Sequence, residues 1–285
     1  MKVLLTIIFL LYGFYAIGQK ADTSMVKADG NAFYLVQQSG NTGIIIFLHG
    51  GVDNPYFSDP MNFPGLDYLL EGNTNFIATA LENHFDVLIP VVNDSLNWLT
   101  NPEYCFQAFK KQLDVNPKYN RRFMTGFSDG GTGSYKIFYT HQKYFHGLMV
   151  FNGYPQHENF NQTVQYKLID NKKIVFSSTE NDKVVPYEFG LTEYCKQKIY
   201  NPDTYIYVAK GGHTFQDYTR EDLNVLFDVI KLTPDNLETQ VVHGFVTHDK
   251  LIAFYPFRDK IFSKYQYEKE IYEENKQQRK LYQPR

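Results

Sequence analysis

The sequence is poor in cysteine, in tryptophan and in excess charge of either sign. It has two cysteines and one tryptophan in 285 residues, and 28 lysines and arginines nearly balance 31 aspartates and glutamates. A formal net charge of −3 provides no basic excess for counterion release from a phosphate backbone, which argues against a nucleic-acid partner. Cys105 lacks a local catalytic or metal-binding signature, so neither thiol is a candidate nucleophile. Whether Cys105 and Cys195 form a disulfide is left open.

Long apolar runs are also missing after the N-terminus. Lys2 is followed by an apolar stretch over residues 3–15, and small residues follow it up to Gly18. This layout is typical of a secretory signal peptide over residues 1–18, because the stretch is too short to span a bilayer comfortably. We therefore expect cleavage before Gln19 and a secreted or periplasmic protein with no membrane contact after cleavage. An uncleaved N-terminal anchor is the alternative.

Buried-strand patterns alternate with helical spacing through most of the chain. A polar leader precedes the first strand, and the last strand before Ser128 starts at Phe123. Because this alternation is the signature of a mostly parallel sheet with helices on both faces, we expect one α/β domain over residues 19–232. Its ligand should bind at the carboxyl ends of the strands. The other expected strands are 33–36, 43–48, 85–92, 146–151, 173–177 and 204–208; the expected helices are 73–84, 103–113, 132–139, 187–199 and 220–231.

Residues 233–285 form a C-terminal extension with a different pattern. Two short apolar runs, 241–245 and 251–255, predict a hairpin, and residues 263–281 predict a charged helix with a thin apolar stripe. Such a helix either lies against the domain in contact with solvent or binds a partner.

One glycine-rich turn holds the candidate nucleophile. The run that starts at Phe123 ends in Gly126-Phe127-Ser128-Asp129-Gly130, which predicts a strand, a sharp turn with Ser128 at its apex and a helix start. Gly126 and Gly130 carry no Cβ atom that would collide with a strained backbone at the serine. Ser128 is therefore the candidate nucleophile.

Two later loops supply an acid and a base. Asp182 follows the buried strand at 173–177 and is the candidate carboxylate, with Glu180 as the alternative. His213 follows the strand at 204–208, and two preceding glycines allow its loop to return toward Ser128. A neutral imidazole can accept the hydroxyl proton of a serine. Serine, aspartate and histidine occur in this order in the α/β-hydrolase arrangement.

On these motifs, together with His49-Gly50-Gly51, the chain resembles the α/β-hydrolase superfamily. Within it, the chain is similar to compact secreted esterases related to feruloyl esterases and polyhydroxybutyrate depolymerases. The resemblance implies catalysis by Ser128, Asp182 and His213 through an acyl-serine intermediate, without a cofactor or a metal ion. It also implies an oxyanion hole made by the backbone N–H groups of Gly51 and Asp129.

Aromatic side chains near these motifs are candidates for the substrate pocket. Tyr56 and Phe57 follow the oxyanion turn, and Trp98 follows the strand at 85–92; packing in the core is the alternative for each. Asp129 is a departure from the pattern, because its charge would oppose an oxyanion if it faced the pocket.

The expected substrate is a small-molecule or polysaccharide-linked ester. Three other functions remain open. They are a peptidase or amidase on the same fold, a binding protein with an idle triad, and an acyltransferase.

Overall fold

The computed structural model describes residues 21–51, 72–154, 172–198, 201 and 203–231. The signal peptide expected over 1–18 and the extension expected over 233–285 lie outside the described residues. The strands within the described ranges are β1 Asp22–Ala28, β2 Asn31–Gln37, β3 Gly43–Leu48, β4 Phe85–Val91, β5 Arg121–Phe127, β6 Gly147–Phe151, β7 Lys173–Thr179 and β8 Thr204–Ala209. They form one sheet in the order β1-β2-β4-β3-β5-β6-β7-β8.

Helices cover both faces of this sheet. They are α1 Thr74–Glu82, α2 Pro102–Asp114, α3 Asp129–Thr140, α4 Tyr187–Lys198 and α5 Arg220–Lys231. Buried side chains of α2, α3 and α4 pack on one face, and those of α1 and α5 pack on the other. The six strands β3 to β8, which are consecutive in the sheet, run parallel to one another. The expected mostly parallel α/β fold is therefore confirmed.

Strand β3 shows why both faces need helices. All six of its residues are buried, and successive side chains of a strand point to opposite faces. Ile44 and Ile46 belong to the core under α2 and α3, whereas Ile45 and Phe47 belong to the core under α1 and α5. An unbroken apolar strand of this kind is stable only between two helical layers.

The expectation of a polar leader is wrong for residues 22–28, which form the edge strand β1. Strand β1 pairs antiparallel with β2, and Ala28 lies opposite Asn31. The two residues between them, Asp29 and Gly30, have φ values of 51° and 77°. Two positive φ values are those of a type I′ turn, for which Asp-Gly is a preferred sequence. The Asp29-Gly30 dipeptide is a sequence signal for a hairpin. Because most side chains of β1 are exposed, the strand lacks the apolar pattern that would have predicted it.

The parallel register brings the loops after β5, β6, β7 and β8 to one edge. Phe127 lies opposite Phe151, and Phe151 lies opposite Ser177. Thr179 in turn lies opposite Ala209. The residues that follow these strand ends therefore meet in one place.

Within the described ranges, no helix has the length and hydropathy needed to cross a membrane. In the same part of the chain, no three histidine, cysteine, aspartate or glutamate side chains are grouped so that they could hold a metal ion. Cys105 is a free, buried thiol. The side chain of Cys195 lies outside the described part.

Candidate active site

Ser128 lies at the apex of the turn between β5 and α3. Its φ and ψ angles are 54° and −120°, a conformation that costs a non-glycine residue about 1–3 kcal/mol. Its N–H donates to the Phe151 carbonyl at 3.0 Å, and its carbonyl accepts from the Thr132 N–H at 3.0 Å. Helix α3 begins at Asp129, three residues before the predicted start at Thr132. The serine is therefore held between a strand end and a helix N-terminus.

The glycines of this turn allow a close approach of backbone to backbone. A Cβ atom at Gly126 would lie 2.3 Å from the carbonyl oxygen of Gly130. Real Cβ atoms essentially never come so close to another heavy atom. The first turn of α3 can therefore pack on β5 only with glycine at position 126.

His213 reaches Ser128 from the loop after β8. Its Nε2 lies 2.9 Å from Ser128 Oγ. The loop is held by two hydrogen bonds at Gly212: its N–H donates to Asp217 Oδ2 at 2.6 Å, and its carbonyl accepts from the Thr179 hydroxyl at 2.6 Å. The imidazole side chain is 19% exposed, so it borders a space that a ligand can enter.

Asp182 holds the other side of the imidazole. Its Oδ2 lies 2.7 Å from His213 Nδ1, and its Oδ1 accepts from the N–H groups of Val184 and Val185 at 2.8 Å each. Asn152 Nδ2 also donates to Oδ2, at 2.5 Å. Burial alone would raise the pKa of this carboxyl group, but these hydrogen bonds, led by that of His213, hold the pKa below its ordinary value.

The alternative acid does not take part in this arrangement. Glu180 is exposed, and its backbone N–H donates to the Ala209 carbonyl. The three side chains selected from the sequence, Ser128, Asp182 and His213, thus form one hydrogen-bonded chain across three loops. With Nδ1–H bonded to the carboxylate, Nε2 is free of a proton and can accept one from the serine hydroxyl.

The fold of this chain is similar to those of solved hydrolase structures. The chain is similar to a CIB-like hydrolase from Thermoplasma acidophilum, with 14% identity, a TM-score of 0.56 and coverage of 75% of this chain and 100% of that one. It is also similar to the esterase Pf2001 from Pyrococcus furiosus, with 16% identity, a TM-score of 0.57 and coverage of 74% and 92%.

A third similar structure is an acylaminoacyl peptidase from Pyrococcus horikoshii. The identity is 12%, the TM-score is 0.51, and the match covers 81% of this chain and 44% of the peptidase. No family model and no curated protein matches the chain.

The chain has the α/β-hydrolase fold.

The turn after β3, expected to supply an oxyanion donor, begins at His49, the last residue before Gly50 and Gly51. His49 is buried, and its Nδ1 donates to the Gly50 carbonyl at 2.9 Å. Burial lowers the pKa of His49 to about 4, with the Gly50 carbonyl opposing part of that shift. The ring of His49 is therefore neutral at pH 7.

Gly51 has a φ of 70°, and both Gly51 and Asp129 line the cavity beside Ser128.

Trp98 lies beneath this turn and does not line the cavity that the structure describes. It is fully buried, and the His49 ring meets it edge-on at a centroid distance of 4.8 Å. A Cβ atom at Gly133 would lie 2.4 Å from the indole, so α3 packs directly on it. Trp98 is thus a core residue, the alternative expected from the sequence, and it packs against His49 and α3. Tyr56 and Phe57 lie outside the described residues.

The cavity has a volume of about 460 Å³. The hydrophobic part of its lining comes from Phe47, Phe127, Val184 and Phe215, and the polar part beyond the residues already named comes from Asn73, Thr214 and Gln216. Sequence reasoning missed these residues, although several follow directly on a strand or motif. Helical spacing predicted Asn73 as the cap of α1, but its side chain makes no cap hydrogen bond there.

Asn152 and Tyr218 are the other site residues that sequence reasoning missed. Asn152 is the residue directly after β6, and its Nδ2 reaches both Asp182 and Thr179. The Tyr218 hydroxyl donates to Asn152 Oδ1 at 2.5 Å. The position of Asn152 at a strand end was a signal, but its partners depend on strand register.

Proposed function

We propose that this α/β-hydrolase is a serine hydrolase that cleaves carboxylic esters through an acyl-serine intermediate. One observation carries the proposal: the His213 ring bridges Ser128 Oγ and the buried carboxylate of Asp182, at 2.9 Å and 2.7 Å. A nucleophile, a base and a group that orients the base are the minimum for this chemistry, and all three have the required contacts.

In the first half of the reaction, Ser128 Oγ attacks the ester carbonyl while its proton moves to His213 Nε2. The resulting imidazolium is stabilised by the ionised Asp182, which also fixes the tautomer. When the tetrahedral intermediate collapses, Nε2–H gives its proton to the departing alcohol oxygen. In the second half, water loses a proton to Nε2 and attacks the acyl-serine; collapse returns that proton to Ser128 and releases the acid.

The backbone N–H groups of Asp129 and Gly51 are the proposed oxyanion donors. The Asp129 N–H opens α3, and a helix N-terminus favours negative charge nearby. Gly51 lies across the same cavity. Removing one such donor typically costs about 3 kcal/mol of transition-state stabilisation. The Asp129 carboxylate, in the first turn of α3, is itself stabilised by the helix dipole, and its charge would oppose an oxyanion if it faced the cavity.

The proposed substrate is a small-molecule or polysaccharide-linked ester, met outside the cytoplasm after removal of residues 1–18. The cavity beside Ser128 has room for a short acyl or aromatic group, and Phe127 and Phe215 give it an apolar floor. The name of Pf2001 as an esterase agrees with this assignment, although likeness at 16% identity concerns the fold.

Amide hydrolysis is the second candidate, because an acylaminoacyl peptidase has the same fold. The triad chemistry is common to both reactions, but an amide requires protonation of a poorer leaving group. If an aminoacyl p-nitroanilide is cleaved with a higher kcat/KM than the matching p-nitrophenyl ester, the peptidase assignment replaces the esterase assignment.

Hydrolysis of p-nitrophenyl acetate and butyrate tests the proposal directly. We expect turnover by the wild type and a loss of at least about 1,000-fold in kcat for Ser128→Ala. Ser24→Ala is the matched control, because Ser24 is exposed on the edge strand β1. Equal turnover by the wild type and Ser128→Ala would refute the assignment of Ser128 as the nucleophile.

Acyl transfer is tested by adding an alcohol to the same assay. An alcohol that captures the acyl group better than water does would indicate an acyltransferase.

A further inference from the structure

Asn152 connects three loops of the candidate site through one buried amide. Its Nδ2 donates to Asp182 Oδ2 at 2.5 Å and to Thr179 Oγ1 at 2.8 Å, and its Oδ1 accepts from the Tyr218 hydroxyl at 2.5 Å. The side chain is fully buried. Both N–H bonds and the carbonyl are therefore used by partners from outside the loop of Asn152 itself.

The direction of this amide is determined by its neighbours. If the amide were reversed, its carbonyl oxygen would face the carboxylate of Asp182, and two acceptors would oppose each other. The Tyr218 hydroxyl donates from the other side and is itself almost fully buried. Tyr218 thus keeps the amide N–H groups pointed at Asp182 and Thr179.

The network reaches both Asp182 and the loop that carries His213. Asp182 Oδ2 has two side-chain donors, His213 Nδ1 and Asn152 Nδ2. The hydroxyl of Thr179, which accepts from Asn152, donates to the carbonyl of Gly212, the residue before His213. One amide thus constrains the carboxylate and the loop that carries the imidazole.

The backbone of Asn152 is also unusual. Its φ is 45°, and its N–H donates to the Ser177 carbonyl at 2.8 Å. Asparagine accepts a positive φ more readily than most residues, but the conformation still carries a cost. Residues in such sparsely populated backbone conformations cluster at functional sites.

We propose that Asn152 is a positioning residue for the Asp182–His213 pair. Its amide directs the Asp182 carboxylate toward His213 and keeps that carboxylate ionised, and Tyr218 holds the amide in this orientation. This inference rests on the proposed hydrolase function. The ionisable groups around the amide are Asp182, His213 and Tyr218. Asp222 and Tyr207 act electrostatically on Tyr218.

Two substitutions at Asn152 test the proposal. Asn152→Gly removes the amide and accepts the positive φ; we expect kcat to fall about 10- to 100-fold, with KM changed less than about threefold, as for loss of a hydrogen bond to a charged group. Asn152→Asp keeps the shape but adds a like charge beside Asp182. We expect the acidic limb of its kcat/KM profile to move up by about one pH unit.

Asn41→Ala is the matched control. Asn41 is also buried, and its Nδ2 donates to the buried carboxylate of Asp86 at 3.0 Å, at the opposite edge of the sheet. Its loss should lower thermal stability and leave the pH profile unchanged. Tyr218→Phe as a single substitution should lower kcat about two- to tenfold. Added to Asn152→Gly it should have little further effect, because the two residues act through the same amide.

The closing experiment measures the rate at which a fluorophosphonate labels Ser128, between pH 5 and 9, together with the low-field proton resonance of His213 Nδ1–H. We expect slower labelling and a shifted resonance in Asn152→Gly, a displaced pH profile in Asn152→Asp, and neither change in Asn41→Ala. If the wild type is labelled and both Asn152 variants keep its rate and profile within twofold, the positioning role is refuted while the hydrolase proposal stands. A wild type that is neither labelled at Ser128 nor active on esters refutes both.

Discussion

A Cβ atom at Gly130 would lie 1.9 Å from the carbonyl oxygen of Leu48, the last residue of β3. Gly130 is the second residue of α3, directly behind the turn at Ser128. The helix N-terminus therefore rests on the backbone of the strand that leads into the oxyanion turn. This contact places the turn at Ser128 directly beside the backbone of Leu48 and His49.

Gly130→Ala should consequently prevent normal packing of α3 on β3. We expect the free energy of unfolding in urea to fall by more than about 3 kcal/mol, beyond ordinary overpacking of a side chain, because the clash is with backbone. Ester hydrolysis should fall with it.

Gly40→Ala separates this clash from simple backbone strain. Gly40 has a φ of 89°, but a Cβ atom there would have no heavy atom within 4 Å. Its substitution should cost about 1–2 kcal/mol, the usual penalty for an L-residue in the left-handed region. Equal losses for the two variants would mean that α3 can move away from Leu48 freely.

The strain at Ser128 predicts a trade between stability and activity. Ser128→Gly should abolish ester hydrolysis while raising the free energy of unfolding by about 1 kcal/mol or more, because glycine adopts a φ of 54° without a Cβ penalty. Ser128→Ala should also be inactive but gain no such stability. Urea unfolding of the three proteins measures this, and a Ser128→Gly protein less stable than Ser128→Ala would contradict the strain.

Much of this fold could be predicted from sequence because the parallel strands are buried on both faces. Six apolar residues at 43–48 and the largely apolar segment at 85–91 leave little ambiguity between strand and exposed loop. Motif glycines likewise predicted the turn at Ser128. Strand β1 was missed because its seven side chains are mostly exposed, so its place is set by pairing with β2 and by the Asp29-Gly30 turn.

The candidate site was predictable only in part, for a related reason. Ser128, Asp182 and His213 each have a local signal, a strand end followed by a characteristic loop. Asn152 and Tyr218 contact partners that are distant in sequence, and the registers of β6, β7 and β8 bring them together. Trp98 was a candidate for the pocket wall with core packing as the alternative, and the packing of Gly133 against its ring places it in the core.

Burial of His49 predicts a loss of stability in mild acid. Its pKa is about 4 in the folded protein, against about 6.5 for an exposed histidine. Well above pH 6.5 the ring is neutral in both states, so it has no effect. As the pH falls from 6.5 to 4, the unfolded state takes up a proton that the folded state does not, and stability falls by about 3 kcal/mol.

His49→Gln is the variant that isolates this effect, because glutamine does not titrate. The difference in the free energy of unfolding between the wild type and His49→Gln should be constant above pH 6.5 and should shift against the wild type as the pH falls toward 4. Parallel curves over the whole range would show that His49 remains accessible to protons in the folded state.

Cys105 should be inert while the protein is folded. Burial raises the pKa of its thiol to about 12, and the thiolate is the form that reacts with alkylating agents. Iodoacetamide at pH 8 should leave the peptide that contains Cys105 unmodified in native protein and modify it fully in urea, as read by mass spectrometry. Rapid labelling of the native protein would place Cys105 near solvent.

The central claim is that Ser128 is a nucleophile activated by His213. Intact-mass analysis after treatment with a fluorophosphonate at pH 8 tests it most directly, with the modified residue located by peptide mapping. We expect one adduct per chain, on Ser128, absent in Ser128→Ala and formed at least about 1,000-fold more slowly in His213→Ala. A wild type that gains no adduct, or labelling of Ser128 at an unchanged rate in His213→Ala, would contradict it.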